Sequence, residues 1–129
     1  MNENKPMKPM KPMFFDPMWD LAHTAGMTAV AKLNVVPMIV SENSERCQRE
    51  WFVPDGVCGF AWVVVRPANC AFAKWMKANK NCHTAYGGGM QYWISAFNQS
   101  MQRKEAYAVA FAGVLYQFGI NAHAGSRMD

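Results

Sequence analysis

Cys58 with His83 or His123 is the pairing by which this chain could build a hydrolytic centre, since that chemistry needs a thiolate beside an imidazole. A catalytic thiolate usually draws help from a helix N-terminus, whereas Cys58 opens a long apolar run that favours a strand. A buried structural thiol is the plainer reading. A second set could hold an anion: Tyr86, Gly87, Gly88 and Gly89 form a loop whose backbone amides can approach phosphate oxygens. Tyr86 or Trp93 could stack on a base, and Arg103 or Lys104 at a helix start could add charge. Together they would take a small anionic ligand such as a nucleotide. Phosphate-binding glycine loops normally run into a helix, however, and this one runs into a strand, so three glycines also read as a plain turn. The cysteines Cys47, Cys58, Cys70 and Cys82 contain no close pair of the kind zinc sites use, so no metal and no other cofactor is expected. Asp16, Asp20 and Asp55 fall at a cap, a helix surface and a turn, and His23 sits among helix-like apolar residues.

The elements that must position these residues are organised around residues 57–65, nine uncharged residues that follow the Asp55-Gly56 turn pair. Both faces of that run are apolar, which predicts a central strand covered on both sides. After it, Pro67 fits the first turn of a helix to about Lys80, carrying Phe72, Trp75 and Met76 on one face. Met90 to Phe97 reads as a second strand. Ser100 is a candidate N-cap for a helix in which Tyr107, Ala110, Phe111, Val114 and Phe118 recur at helical spacing. Gly119-Ile120 fits a Schellman ending, and Ile120 to Ala124 a third strand. The expected fold is therefore a small α/β sandwich, with a β-α-β-α-β unit over 54–129 whose strands are parallel neighbours.

Upstream, residues 16–53 read as an N-terminal region of their own. A short helix opened by Asp16 and Pro17 stops at Gly26, and Met27 to Leu33 adds a further turn or two. Val35 to Val40 follows as an edge strand, because Pro37 lacks a ladder donor, and Ser41 to Glu50 as a polar surface loop. These extended pieces would complete the edges of the sheet. Residues 1–15 form an extended arm in which proline at every third position forbids both helix and ladder. In polyproline II geometry Lys5, Lys8 and Lys11 share one edge and Met7, Met10 and Met13 another. Such an arm suits a partner that offers an apolar groove with an acidic rim.

With 51% hydrophobic and 17% charged residues the chain is too apolar for wholesale disorder, and it has little charge to spare for its surface. Partner contacts follow from that balance. The net charge of +4 permits an anionic partner, but the basic residues are spread along the chain, so nucleic acid is not indicated. No apolar run reaches membrane-spanning length, and residues 1–13 carry proline and lysine where a signal peptide would have its apolar core. A cytoplasmic protein with reduced thiols is expected.

Four stretches carry a resemblance: 55–63 (DGVCGFAWV), Tyr86-Gly87-Gly88, 99–108 (QSMQRKEAYA) and Ser126-Arg127-Met128-Asp129. Over roughly 54–129 the chain resembles a group of small uncharacterised tailed-phage proteins. The resemblance implies a viral protein made in a host bacterial cytoplasm and carries no catalytic motif with it. The arm lies outside it. The expected function is accordingly non-enzymatic: a structural or partner-binding protein, associated with the virion, whose arm docks on a phage structural protein or on a neighbouring subunit of its own kind. The alternatives are a nucleotide-signal binder that antagonises host defence, built on Tyr86 to Gly89, and the Cys58 hydrolase.

Overall fold

The computed structural model describes residues 11–34, 38–44, 47–53 and 58–129, the second and third of these by backbone alone. It is a mixed α/β protein. Strands β1 (Met38–Ser44) and β2 (Cys47–Val53) pair antiparallel. They are followed by β3 (Gly59–Val65), β4 (His83–Thr84), β5 (Met90–Trp93) and β6 (Ala122–Met128), with helices α1 (Phe15–Lys32), α2 (Ala71–Asn79) and α3 (Met101–Gln117). Most of the arm, Lys5, Met7, Lys8 and Met10 included, lies outside the described residues. Where the description begins, Pro12–Phe14 is already a 3₁₀ turn leading into α1, so the arm stops being extended before residue 15.

The four-stranded sheet runs β4-β5-β3-β6, which makes β3 an interior strand, as its apolar run predicts. Its neighbours β5 and β6 are both antiparallel to it, which corrects the expectation of parallel neighbours. The crossover logic survives in another form. β4 pairs antiparallel with β5, so β4 runs parallel to β3, and α2 connects these two parallel strands across the intervening β5. Likewise α3 connects β5 to the parallel β6 across β3. Each helix bridges parallel strands, as long connections require, and an antiparallel strand fills each gap. From β3 onward, element order and strand order together are those of a split β-α-β arrangement, β-α-β-β-α-β, preceded by α1 and the β1–β2 pair.

That helix belongs to the same core. Phe15, Met18, Trp19 and Ala22 are buried with Ala61, Val63 and Val65 of β3, Phe72 and Met76 of α2, and Tyr107, Phe111 and Leu115 of α3. The expected boundary near residue 54 is thus crossed by the packing of α1. Trp19 holds the centre: its ring lies 4.7 Å from Phe111, 4.8 Å from Tyr92, 5.8 Å from Trp75 and 6.4 Å from Phe72. Gly26 does not stop α1. It is a buried mid-helix residue over which the Tyr107 ring lies, and a Cβ there would come within 2.5 Å of Tyr107 Cδ2. Asp16 accordingly sits in the first turn of α1 and not at its cap.

The described part of the polar stretch 41–50 is also not a loop, since residues 38–44 and 47–53 pair as a separate two-stranded sheet. Its cross-strand pairs Ser41↔Glu50 and Glu42↔Arg49 show why polarity misled: a two-stranded ladder needs no apolar alternation to satisfy its backbone. The α2 helix begins four residues later than Pro67 because a turn, Cys70 N–H to Pro67 O at 3.1 Å, comes first. Cys70 then caps it, its Sγ accepting from Ala73 N–H at 3.4 Å. The α3 boundaries match the sequence reading. Ser100 Oγ accepts from Arg103 N–H at 3.3 Å. At the other end Gly119, at φ 85°, closes a full Schellman motif: Ile120 N–H reaches Leu115 O and Gly119 N–H reaches Tyr116 O, both at 3.0 Å.

The largest departure concerns coverage of the sheet. All three helices pack against the face that carries Ala61, Val63 and Val65. On the other face Phe60 and Trp62 are only partly buried, so the strand that reads as enclosed on both sides has one aromatic face left open by the helices.

Candidate functional site

Directly paired residues on neighbouring strands point to the same side of a sheet, so the register names the members of the open face. From β3 come Phe60, Trp62 and Val64. Opposite them stand Trp93 and Gln91 on β5, Arg127, Gly125 and His123 on β6, and, beyond Gln91, His83 on β4. The period-two alternation that sends Val63 and Tyr92 into the core is what sends these outward.

The aromatic side chains are arranged against one another. The Trp62 and Trp93 rings are stacked, with centroids 5.6 Å apart and planes 6° from parallel, and Phe60 lies 5.3 Å from Trp93. Trp62 leans over Gly125, where a Cβ would come within 2.6 Å of Trp62 Cε2, so the absence of a side chain at 125 is what seats the indole. Trp93, 42% exposed, presents the outer ring of the pair. Val64 completes the row, but the β4–β5 turn at Gly89 closes over it and leaves it buried.

Cations border this surface. The Arg127 guanidinium lies 5.4 Å from the Phe60 ring centre, and from the other side the buried Lys104 places its ammonium 5.5 Å from the same ring and 3.5 Å from Gly59 O. At the far end Arg66 Nη1 donates to His123 Nε2 at 3.2 Å. Trp62, Trp93, Tyr86, Arg66 and Arg127 line one cavity of about 320 Å³. A second, of about 300 Å³, adjoins it across the β5–β4 edge, lined by Lys80, Asn81, His83, Tyr92 and Ser95, and shares Gln91 and Trp93 with the first.

No family model, curated protein or solved structure matches this chain. The geometry of the surface therefore carries the functional reading.

Of the residues singled out for an anionic ligand, Tyr86, Gly87, Gly88 and Trp93 do come together, in the first cavity. Gly89 lies beneath them, with its backbone against Val64 and Arg66. The backbone-amide mechanism is weakened, since Gly88 N–H is already donated to Ala85 O at 3.0 Å. Arg103 and Lys104 do not line the cavity: both start α3, and Lys104 is spent inside, on Gly59 and Phe60. The charge comes instead from Arg66 and Arg127, which sequence reasoning passed over. Period-two alternation, extended from Trp62 through its strand partners, was the signal that could have found them, but it needs the antiparallel register to be known.

The hydrolase pairing does not assemble. Cys58, exposed where the sequence reading predicts burial, bridges Ser100 just before β3, while His123 pairs with Val64 and His83 with Gln91, which itself pairs with Val64. Roughly six strand residues, about 20 Å, separate Cys58 from the level of either histidine. Cys82 is buried, and desolvation, opposed in part by Lys80, pushes its thiol up to about 11, so it stays protonated and unreactive at neutral pH. Tyr107 is raised well above the usual phenol range, first by burial and then by its hydrogen bond with Tyr92. Its hydroxyl also meets His23 Nδ1 at 2.6 Å, so this buried group ties α1 to α3. Among the described residues no three His, Cys, Asp or Glu side chains converge, and no helix is long and apolar enough to cross a membrane.

Proposed function

We propose that this protein is a non-enzymatic binding module, and that its ligand carries a flat aromatic ring and negative charge, as a nucleotide does. The stacked Trp62–Trp93 pair beside Arg127 and Arg66 carries the reading. A partly exposed indole backed by a parallel one is a rigid platform, and a base laid on it loses apolar surface to water without ordering a mobile side chain. Guanidinium groups at the rim meet phosphate as paired donors. In the bacterial cytoplasm that the phage resemblance implies, nucleotides are abundant, and those used as defence signals are among the ligands this chemistry would accept.

Intrinsic tryptophan fluorescence, titrated with a panel of nucleoside mono- and diphosphates, tests this directly. Saturable quenching is expected, weakened about tenfold to a hundredfold in Trp93→Ala, the range for losing one stacked base. Arg127→Ala should weaken phosphorylated ligands more than the free nucleosides. Quenching that never saturates, or that is unaffected by Trp93→Ala, would remove the reading.

The structural role, with the arm docked on a virion component or a neighbouring subunit, has an observation of its own. Where the arm enters the domain, Phe14, Pro17, Met18, Leu21 and Phe118 line an apolar cavity of about 310 Å³, and Met13, Phe14 and Leu21 are at least half exposed. Lys11, the last lysine of the repeat, is exposed beside them. Deleting residues 1–10 is expected to leave the thermal midpoint within a degree or so, because surface segments away from the core contribute little to stability, while weakening self-association or capsid co-sedimentation in a salt-dependent way. Assembly as tight without the arm would make it a passive tail.

A further inference from the structure

The two cavities form one track that starts on the open face and turns round the β4 edge of the sheet. They lie on either side of Trp93 and share it together with Gln91. On the β6 side the track is lined by Arg127, Arg66 and Tyr86; on the β4 side it passes His83 and reaches the sheet edge at Lys80, whose ammonium turns to the helical side, 5.4 Å from the Trp19 ring and 5.7 Å from the Trp75 ring. A single nucleotide stacked on Trp93 would fill one half and leave the polar lining of the other, Asn81, His83 and Ser95, uncontacted. We infer that the natural ligand is single-stranded nucleic acid laid across the sheet, with unpaired bases on both sides of Trp93 and its phosphates met by Arg127 and Arg66. This rests on the nucleotide reading above and extends it from a monomer to a polymer.

Three further observations favour this occupant. The aromatics sit on the two interior strands, β3 and β5, of a four-stranded sheet in the β-α-β-β-α-β order, where such sheets can stack two or three unpaired bases. Crossing four strands at ~4.8 Å per strand spans about 14 Å, room for more than one base. The charge is one-sided as well. Arg127 and Arg66 border the face, and no Asp or Glu lines either cavity. A protein partner fitted to the same aromatic surface would need a concentrated acidic counterpart, whereas nucleic acid brings base and charge in one repeating unit. Duplex is disfavoured because its bases are already stacked and present no free ring face to Trp93.

Fluorescence anisotropy of the full chain with labelled oligo-dT and oligo-U of two, four and eight nucleotides, a matched duplex, and mononucleotides as competitors tests the inference. Affinity is expected to rise at least tenfold from mononucleotide to tetranucleotide and to level off beyond it. It should fall with salt along a log–log slope of about 1.4, as for two phosphate contacts on a single strand. Trp93→Ala should lower tetranucleotide affinity about tenfold to a hundredfold. His83→Glu, on the β4 side, should weaken the tetranucleotide more than the mononucleotide. The dT and U arms decide between DNA and RNA. A mononucleotide that binds as tightly as the tetranucleotide overturns the polymer inference and leaves the nucleotide reading standing. Duplex binding as tight as single-strand binding overturns base stacking as its mechanism, and no binding by any member overturns both.

Discussion

Trp19→Ala is expected to cost about 3–5 kcal/mol, the range for truncating a large buried aromatic, and so to remove much of the stability of a domain this size. Trp19 is 6% exposed and touches rings from α2, α3 and β5 at once, so its loss opens a cavity that no single neighbour can fill. Trp62→Ala is the control. The same residue type on the open face, partly exposed and supported by Trp93 alone among the rings on β5, should cost clearly less than Trp19→Ala and act mainly on the ligand. Urea unfolding of the two variants separates them by midpoint. Equal losses would mean that the open face is packed as tightly as the helical side.

Gly26→Ala and Gly113→Ala should change stability in opposite directions although both replace a mid-helix glycine. In an unhindered helix the change gains up to about 1 kcal/mol. Gly113 is exposed in α3, and a Cβ there meets nothing within 4 Å, so the gain should appear in full. At Gly26 the new methyl would enter the Tyr107 ring, with approaches of 2.5 Å and 2.7 Å to Cδ2 and Cε2. Overpacking costs about 1–3 kcal/mol, which outweighs the propensity gain. The shift should also pull Tyr107 from His23. A thermal midpoint that rises in both variants would show that α1 and α3 can part without penalty.

Residues whose signal is local were legible in the sequence. Ser100, Gly119 and the apolar spacing of Tyr107 and Phe111 each specify α3 within a few turns of chain, and the run after Gly59 specifies an interior strand in the same way. What failed depended on partners far away in sequence. Gly26 reads as a helix stop because glycine is a poor helix former, and only the Tyr107 ring lying over it explains its place inside α1. Strand direction depended on the short β4 inserted before β5, two residues that no periodicity could announce. The site was half legible for the same reason: Tyr86 and Trp93 are close in sequence, whereas Arg66 and Arg127 meet only once β3 and β6 are in register.

That register bears on how the domain is made. Every β3–β6 pair joins residues roughly sixty positions apart, so the interior strand gains its last partner only by closing a long loop, whose entropy must be met before the ladder forms. Until then β3, the most apolar strand of the sheet, presents an unpaired edge. The same strand that organises the native sheet is therefore the aggregation hazard of the incomplete chain, and α3, which lies between the two strands in sequence and has its own cap and stop, is the local structure able to shorten that search.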